Sequence, residues 1–88
     1  MDENIIKIEL HDELDLHAFH PKDVKAVLSE FIVMAQEKDI KSVRIVHGKG
    51  KSIIKSIVIN ELNKHKNISS YRDEPGNWGA TIAYIKED

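Results

Sequence analysis

The segment Val43-Arg44-Ile45-Val46-His47-Gly48-Lys49-Gly50-Lys51-Ser52 reads as a short buried strand, a glycine-rich turn and the first residues of a helix. Val43, Ile45 and Val46 are strand formers, and Gly48 and Gly50 reach backbone angles that a side chain forbids. Apolar residues then return at helical spacing from Ile53. A turn of this kind points the free N–H groups of a helix start into the loop mouth. The helix dipole adds partial positive charge there, which suits a phosphate or another anion. Lys49 and Lys51 add full charges in the same loop. The expectation is that this loop holds nucleic-acid phosphate, with a histidine and an aspartate brought beside it by the N-terminal segment.

Charge along the chain points the same way. Residues 41–66 hold seven basic side chains (Lys41, Arg44, Lys49, Lys51, Lys55, Lys64 and Lys66) against Glu61 alone, although the whole chain carries a net charge of −2. A local basic field around the turn is therefore expected, the plainer alternative being a solvated lysine face on a helix.

Working outward, Ile5–Leu10 alternates, with Ile6, Ile8 and Leu10 on one side. His11-Asp12-Glu13 interrupts the pattern and Leu14-Asp15-Leu16-His17 resumes it, as one strand or as two with a kink near Asp12. Leu14 and Leu16 are expected inward and Asp15 and His17 together on the opposite face. Ala18-Phe19-His20 is a loop, and Pro21 suits the first position of a helix. Val24, Val27, Leu28, Phe31 and Ala35 form its apolar stripe, widened by Ile32 and Met34, and it should stop near Lys38-Asp39. The second helix is expected from about Ser52 to His65, with Ile54, Ile57, Val58 and Leu62 toward a sheet and Ser52 or Lys51 at its start. Ile68–Arg72 and Ala80–Ile85 are the remaining strands, separated by the turn cluster Asp73-Glu74-Pro75-Gly76-Asn77.

The order β-α-β-α-β-β predicts an α/β two-layer sandwich, with right-handed parallel β-α-β units and an antiparallel last pair. With 88 residues, a single domain over 1–88 is expected. No apolar run approaches a bilayer span, and Met1-Asp2-Glu3-Asn4 lacks the basic start of a signal peptide. The absence of cysteine excludes disulfides and thiolate metal sites, and a cytoplasmic setting is expected.

Three landmarks stand in order: Leu14-Asp15-Leu16-His17, His47-Gly48-Lys49-Gly50 and Gly76-Asn77-Trp78-Gly79-Ala80-Thr81. Together they resemble the small MutS-related (Smr) domain family, over about residues 12–86. The resemblance implies a mixed four-stranded sheet with two helices, like the C-terminal domain of translation initiation factor three. It also implies DNA or RNA as partner, and endonucleolytic nicking of DNA or cutting of RNA. The alternative is a non-catalytic binding module of DNA repair and recombination or of RNA quality control. On the matching positions it implies roles for Asp15, His17, His47, Gly48 and Gly50. The chain departs from the family pattern at Ala18 (commonly glycine), Ser52 (commonly glycine) and Lys55 (usually arginine). Lysine keeps the charge and loses the two-pronged grip on phosphate.

Cleaving a phosphodiester without a metal needs a base, an acid and groups to hold charge on phosphorus. His17 and His47 can move protons near neutral pH. Asp15, roughly 6–7 Å from His17 along a strand, can orient it or a water. Gly48, Lys49, Gly50, Lys51, Ser52 and Lys55 are the expected phosphate contacts. The plain alternative is that Asp15 caps a loop and His17 only bonds nearby backbone. Trp78 could stack on a base, although covering the core edge is preferred for it, and more so for Phe19. His11, His17, His20 and His47 with Asp12 and Asp15 are donors enough for a metal, but at no recognised zinc spacing. No metal ligand is assigned, and a divalent cation such as magnesium is the one cofactor left open. Gly50-Lys51-Ser52 resembles the end of a P-loop, but the first glycine would have to stand where Ile45 is, so ATP hydrolysis is rejected. A protein-interaction adaptor ranks last, and a monomer or weak homo-oligomer is expected.

Overall fold

Ser42–Val46 becomes an interior strand, flanked on both sides. The structure, a computed structural model, describes residues 11–48 and 53–87, and for Trp78 the backbone only. The elements run β1 (Asp12–Asp15), α1 (Pro21–Glu37), β2 (Ser42–Val46), α2 (Ile53–Lys64), β3 (Ile68–Glu74) and β4 (Asn77–Ile85). The expected alternation over Ile5–Leu10, the residues Lys49, Gly50, Lys51 and Ser52, and the Trp78 side chain lie outside the described residues.

The sheet order is β1-β2-β4-β3. β1 runs parallel to β2, while β4 is antiparallel to both β2 and β3. β4 is thus inserted between the two strands that α2 connects. The β3–β4 hairpin closes on Pro75-Gly76, with Gly76 at φ +74°. Proline first and a positive-φ glycine second is the pattern of a type II turn. That turn matches strand twist poorly, and the pairing register shifts between Asp73 and Glu74 beside it.

Both ends of α1 follow from local chemistry. His20 is the N-cap, its ring accepting from the Lys22 N–H at 3.3 Å, with Pro21 next in line. At the other end Asp39 takes φ +59°, its N–H donates to Gln36 O, and the Ile40 N–H donates to Ala35 O. Those two bonds make a Schellman cap, with aspartate tolerated at the left-handed position usually held by glycine.

The core lies between the helix pair and one sheet face. Val24, Leu28, Ile32 and Ala35 of α1 meet Ile54, Val58 and Leu62 of α2 over Val43, Ile45, Ala83 and Ile85. Ile32 is fully buried, whereas Val27 and Phe31 are only partly covered. The stripe is therefore centred one residue later than expected. Ile32→Ala should cost about 2–5 kcal/mol, a large share of a small domain's stability. Denaturant unfolding measures it, and Phe31→Ala should cost less.

The other sheet face carries Arg44, whose guanidinium forks onto Glu74 with two bonds of 2.8 Å and meets Glu13 at 3.2 Å. Among the described residues no helix is long and apolar enough to cross a membrane.

Candidate active site

β1 and β2 are parallel neighbours, so both chains leave the sheet at the same end. Ligands in open α/β sheets bind at such carboxyl ends. Leu16 extends the pairing past β1 by donating to Val46 O at 2.7 Å. Its side chain is fully buried, and the pleat then turns Asp15 and His17 outward.

There the two side chains meet. One carboxylate oxygen of Asp15 accepts from the His17 backbone N–H at 3.0 Å and from the ring Nδ1 at 2.5 Å. A carboxylate only accepts, so Nδ1 carries the proton and exchange with a substrate falls to Nε2. The imidazole is 59% exposed. Hydrogen bonding to His17 holds the Asp15 carboxyl below its usual range. Gly48 stands against this pair: a Cβ built on it would lie 3.8 Å from the His17 Cβ. The strand end and the start of the glycine turn therefore share one locus.

Gly48 has φ +94°, a conformation that side chains resist. Its N–H and that of His47 both donate to Gly79 O at 3.0 Å. This amide was expected to face phosphate, but it is committed to the β4 backbone. Gly48 thus shapes the turn.

His47, expected as a second acid or base beside His17, is 2% exposed. Its Nδ1 lies 3.1 Å from Gly48 O and its Nε2 2.9 Å from Thr81 Oγ1. Because a carbonyl only accepts, Nδ1 donates, and Nε2 of the neutral ring accepts a hydrogen bond from the Thr81 hydroxyl. Burial pushes the pKa of His47 down. The ring is built into the turn, with both nitrogens engaged inside the protein.

The third landmark supplies the scaffold. Asn77 Oδ1 accepts from the Gly79 N–H at 2.9 Å, while Asn77 Nδ2 donates to Glu74. Gly79 O holds the turn and Thr81 holds His47. No function was assigned to Asn77, Gly79 or Thr81 from sequence, although the motif containing them was visible.

Summing charge along the chain overstated the field at the turn. Arg44 shares the outward sheet face with Asp15, but Glu74 and Glu13 offset its charge, and Lys41, at the opposite end of β2, pairs with Glu87 at 3.0 Å. Lys64 ends α2 and Lys66 follows it, roughly 15 Å or more from the helix start at 1.5 Å per residue. Lys55 stands nearer the turn, with its ammonium 3.8 Å from Asp73. No acidic residue occupies the first turn of α2. The metal donors are dispersed: His11 bonds Ser42 Oγ, His20 caps α1, and no group of three histidine, aspartate or glutamate side chains converges among the described residues.

The fold and this site define a small domain with a histidine–aspartate pair at a glycine turn. The Smr domain profile matches residues 14–86, and the chain belongs to the Smr domain family. It is 36% identical over 84 residues to the endonuclease MutS2 of Staphylococcus haemolyticus, covering 92% of this chain and 10% of that protein. It is 29% identical over 72 residues to the ribosome rescue factor SmrB of Aeromonas hydrophila, covering 82% and 41%. Among solved structures, the Smr domain of Thermus thermophilus MutS2 superposes with a TM-score of 0.80 at 22% identity, over 85% of this chain and 98% of that one. YdaL, a stand-alone small MutS-related protein from Escherichia coli, gives 0.77 at 24%, over 85% and 64%. These two likenesses establish the fold. The chain spans 10% of the length of the MutS2 protein and 41% of SmrB.

Proposed function

We propose that this domain binds DNA or RNA and cuts its phosphodiester backbone, with His17 as the proton-transfer group and Asp15 as its orienter. The observation that carries the reading is the Asp15–His17 pair standing against the Gly48 turn. Nε2 takes the proton of the attacking oxygen, from water or from an RNA 2′-hydroxyl, as that oxygen bonds to phosphorus. The bond from phosphorus to the leaving sugar oxygen breaks, that oxygen takes a proton from solvent, and the imidazolium faces the charge on the phosphoryl oxygens. Phosphate binding falls to the residues after Gly48, where Lys49 and Lys51 stand in the sequence, and to the start of α2. The names endonuclease and ribosome rescue factor carried by relatives support a nucleic-acid substrate. His47 acts by position, holding Gly48 from beneath.

Binding without cleavage is the second reading, favoured by the burial of the second imidazole. A panel of plasmid DNA, unpaired DNA and structured RNA, incubated with and without magnesium, separates the two. Nicked or shortened product, lost in His17→Ala, supports the enzyme; intact substrate at high protein supports the binding module. In either case affinity should fall steeply with salt. Lys49→Ala and Lys51→Ala should each make the slope of log K against log salt shallower, by about 0.7–0.9 for each phosphate that the lysine neutralises. Unchanged slopes in both variants would remove these lysines from the interface.

A further inference from the structure

The large hydrophobic side chains exposed among the described residues are Phe19 (41%), Val33 (40%) and Ile53 (68%). Val33 lies midway along α1. The other two stand where the chain has just left β1 and where it enters α2, at the sheet end that holds Asp15, His17 and Gly48. Single exposed apolar residues are common and need no account. Two at the end of a small domain that carries a proposed phosphate site do.

Phe19 is held on a short tether. Its N–H donates to Leu16 O at 3.0 Å, so Leu16-His17-Ala18-Phe19 is a closed turn with His17 at its second position. The next residue, His20, is fixed as the cap of α1. The interior has no need of the ring, since Leu16 fills the core from this turn and the buried stripe of α1 begins at Val24. The ring therefore stays partly in water, three residues from buried Leu16 and two from His17.

A flat apolar face beside a phosphate site matches the face of a nucleobase. A duplex hides those faces in its own stack, whereas an unpaired strand offers them, and aromatic side chains are the usual platform. We infer that Phe19 stacks on an unpaired base next to the phosphate at His17, with Ile53 flanking it from α2, so that the site selects unpaired strands. This rests on the proposed phosphodiester function and adds its specificity.

The test compares binding of the full chain to an unpaired oligonucleotide, to an abasic phosphodiester strand of equal length and to a duplex. The wild-type chain should prefer the base-bearing strand over the abasic one by about 5- to 150-fold, the range that base stacking supplies. Phe19→Ala should reduce that preference to near unity and leave abasic binding and the salt slope unchanged, because stacking releases no counterions. Phe19→Trp should restore it. Phe19→Leu keeps apolar bulk for folding and should still lose the preference. A Phe19→Ala or Phe19→Leu variant that keeps the full preference overturns the stacking role alone, as does wild-type protein that binds both strands equally. If neither strand is retained at low salt, the nucleic-acid reading falls and the stacking role with it.

Discussion

His17→Ala should lower phosphodiester cleavage by about a hundred- to ten-thousandfold, the range for a positioned general acid or base, and lower nucleic-acid affinity by no more than about tenfold, the net worth of one hydrogen bond. The separation follows from the geometry. His17 is largely exposed and anchored by Asp15, so its removal opens no cavity and leaves Asp15 in water. The fold should survive, and a thermal melt close to wild type is the control. Cleavage that persists in His17→Ala would move the chemistry elsewhere.

Asp15→Asn probes the same pair from its other member. An asparagine oxygen can still accept from Nδ1, but it brings no charge to balance the imidazolium formed during reaction. Cleavage should fall nearly as far as in His17→Ala, with binding again retained. The carboxyl of Asp15 is held below its ordinary value of 3.8 by His17, so it stays ionised well into acid. Its depressed pKa means that its support for the fold is full above the ordinary value and is lost as pH falls through the lower one. An acid limb in the cleavage rate near neutrality would therefore not come from Asp15.

The parts of this molecule legible from sequence are those set by near neighbours. The ends of α1 depend on His20-Pro21 and on Lys38-Asp39-Ile40, each bonding within five residues. The outward pair Asp15 and His17 follows from the two-residue period of a strand. What stayed hidden depends on pairings across the chain. The placement of β4 between β2 and β3 is decided by long-range pairing, and it brings Thr81 opposite Ile45, two residues from His47. The bond that seals His47 spans 34 positions, and the one that holds Arg44 spans 30. A count of lysines and arginines has no access to either, which is why the basic cluster dispersed once folded. The centre of the α1 stripe moved to Ile32 for a smaller reason. Phe31 and Ile32 are adjacent and both apolar, so periodicity alone leaves the inward choice between them open.

Substituting His47 should give the largest loss of stability at the site, with a pH signature that a catalytic histidine lacks. In His47→Ala the ring leaves a void under Gly48, and the Thr81 hydroxyl, fully buried, loses its partner. Cavity and unmade hydrogen bonds together should cost about 2–4 kcal/mol by denaturant unfolding. Thr81→Val keeps the volume but strands Nε2, and should cost about 1–3 kcal/mol. Burial lowers the His47 pKa, so the unfolded chain takes up a proton near 6.5 while the folded one stays neutral. The unfolded state then binds more protons below that pH. Stability should be level above it and should fall as pH drops toward the folded-state value, by at most about 1.4 kcal/mol per pH unit. His47→Gln removes the titrating group, and the difference in slope from wild type between pH 7.5 and 5.5 isolates this residue from the other histidines. Equal slopes in the two proteins would show that His47 takes its proton while folded, and the ring would have to be placed in reach of solvent and substrate.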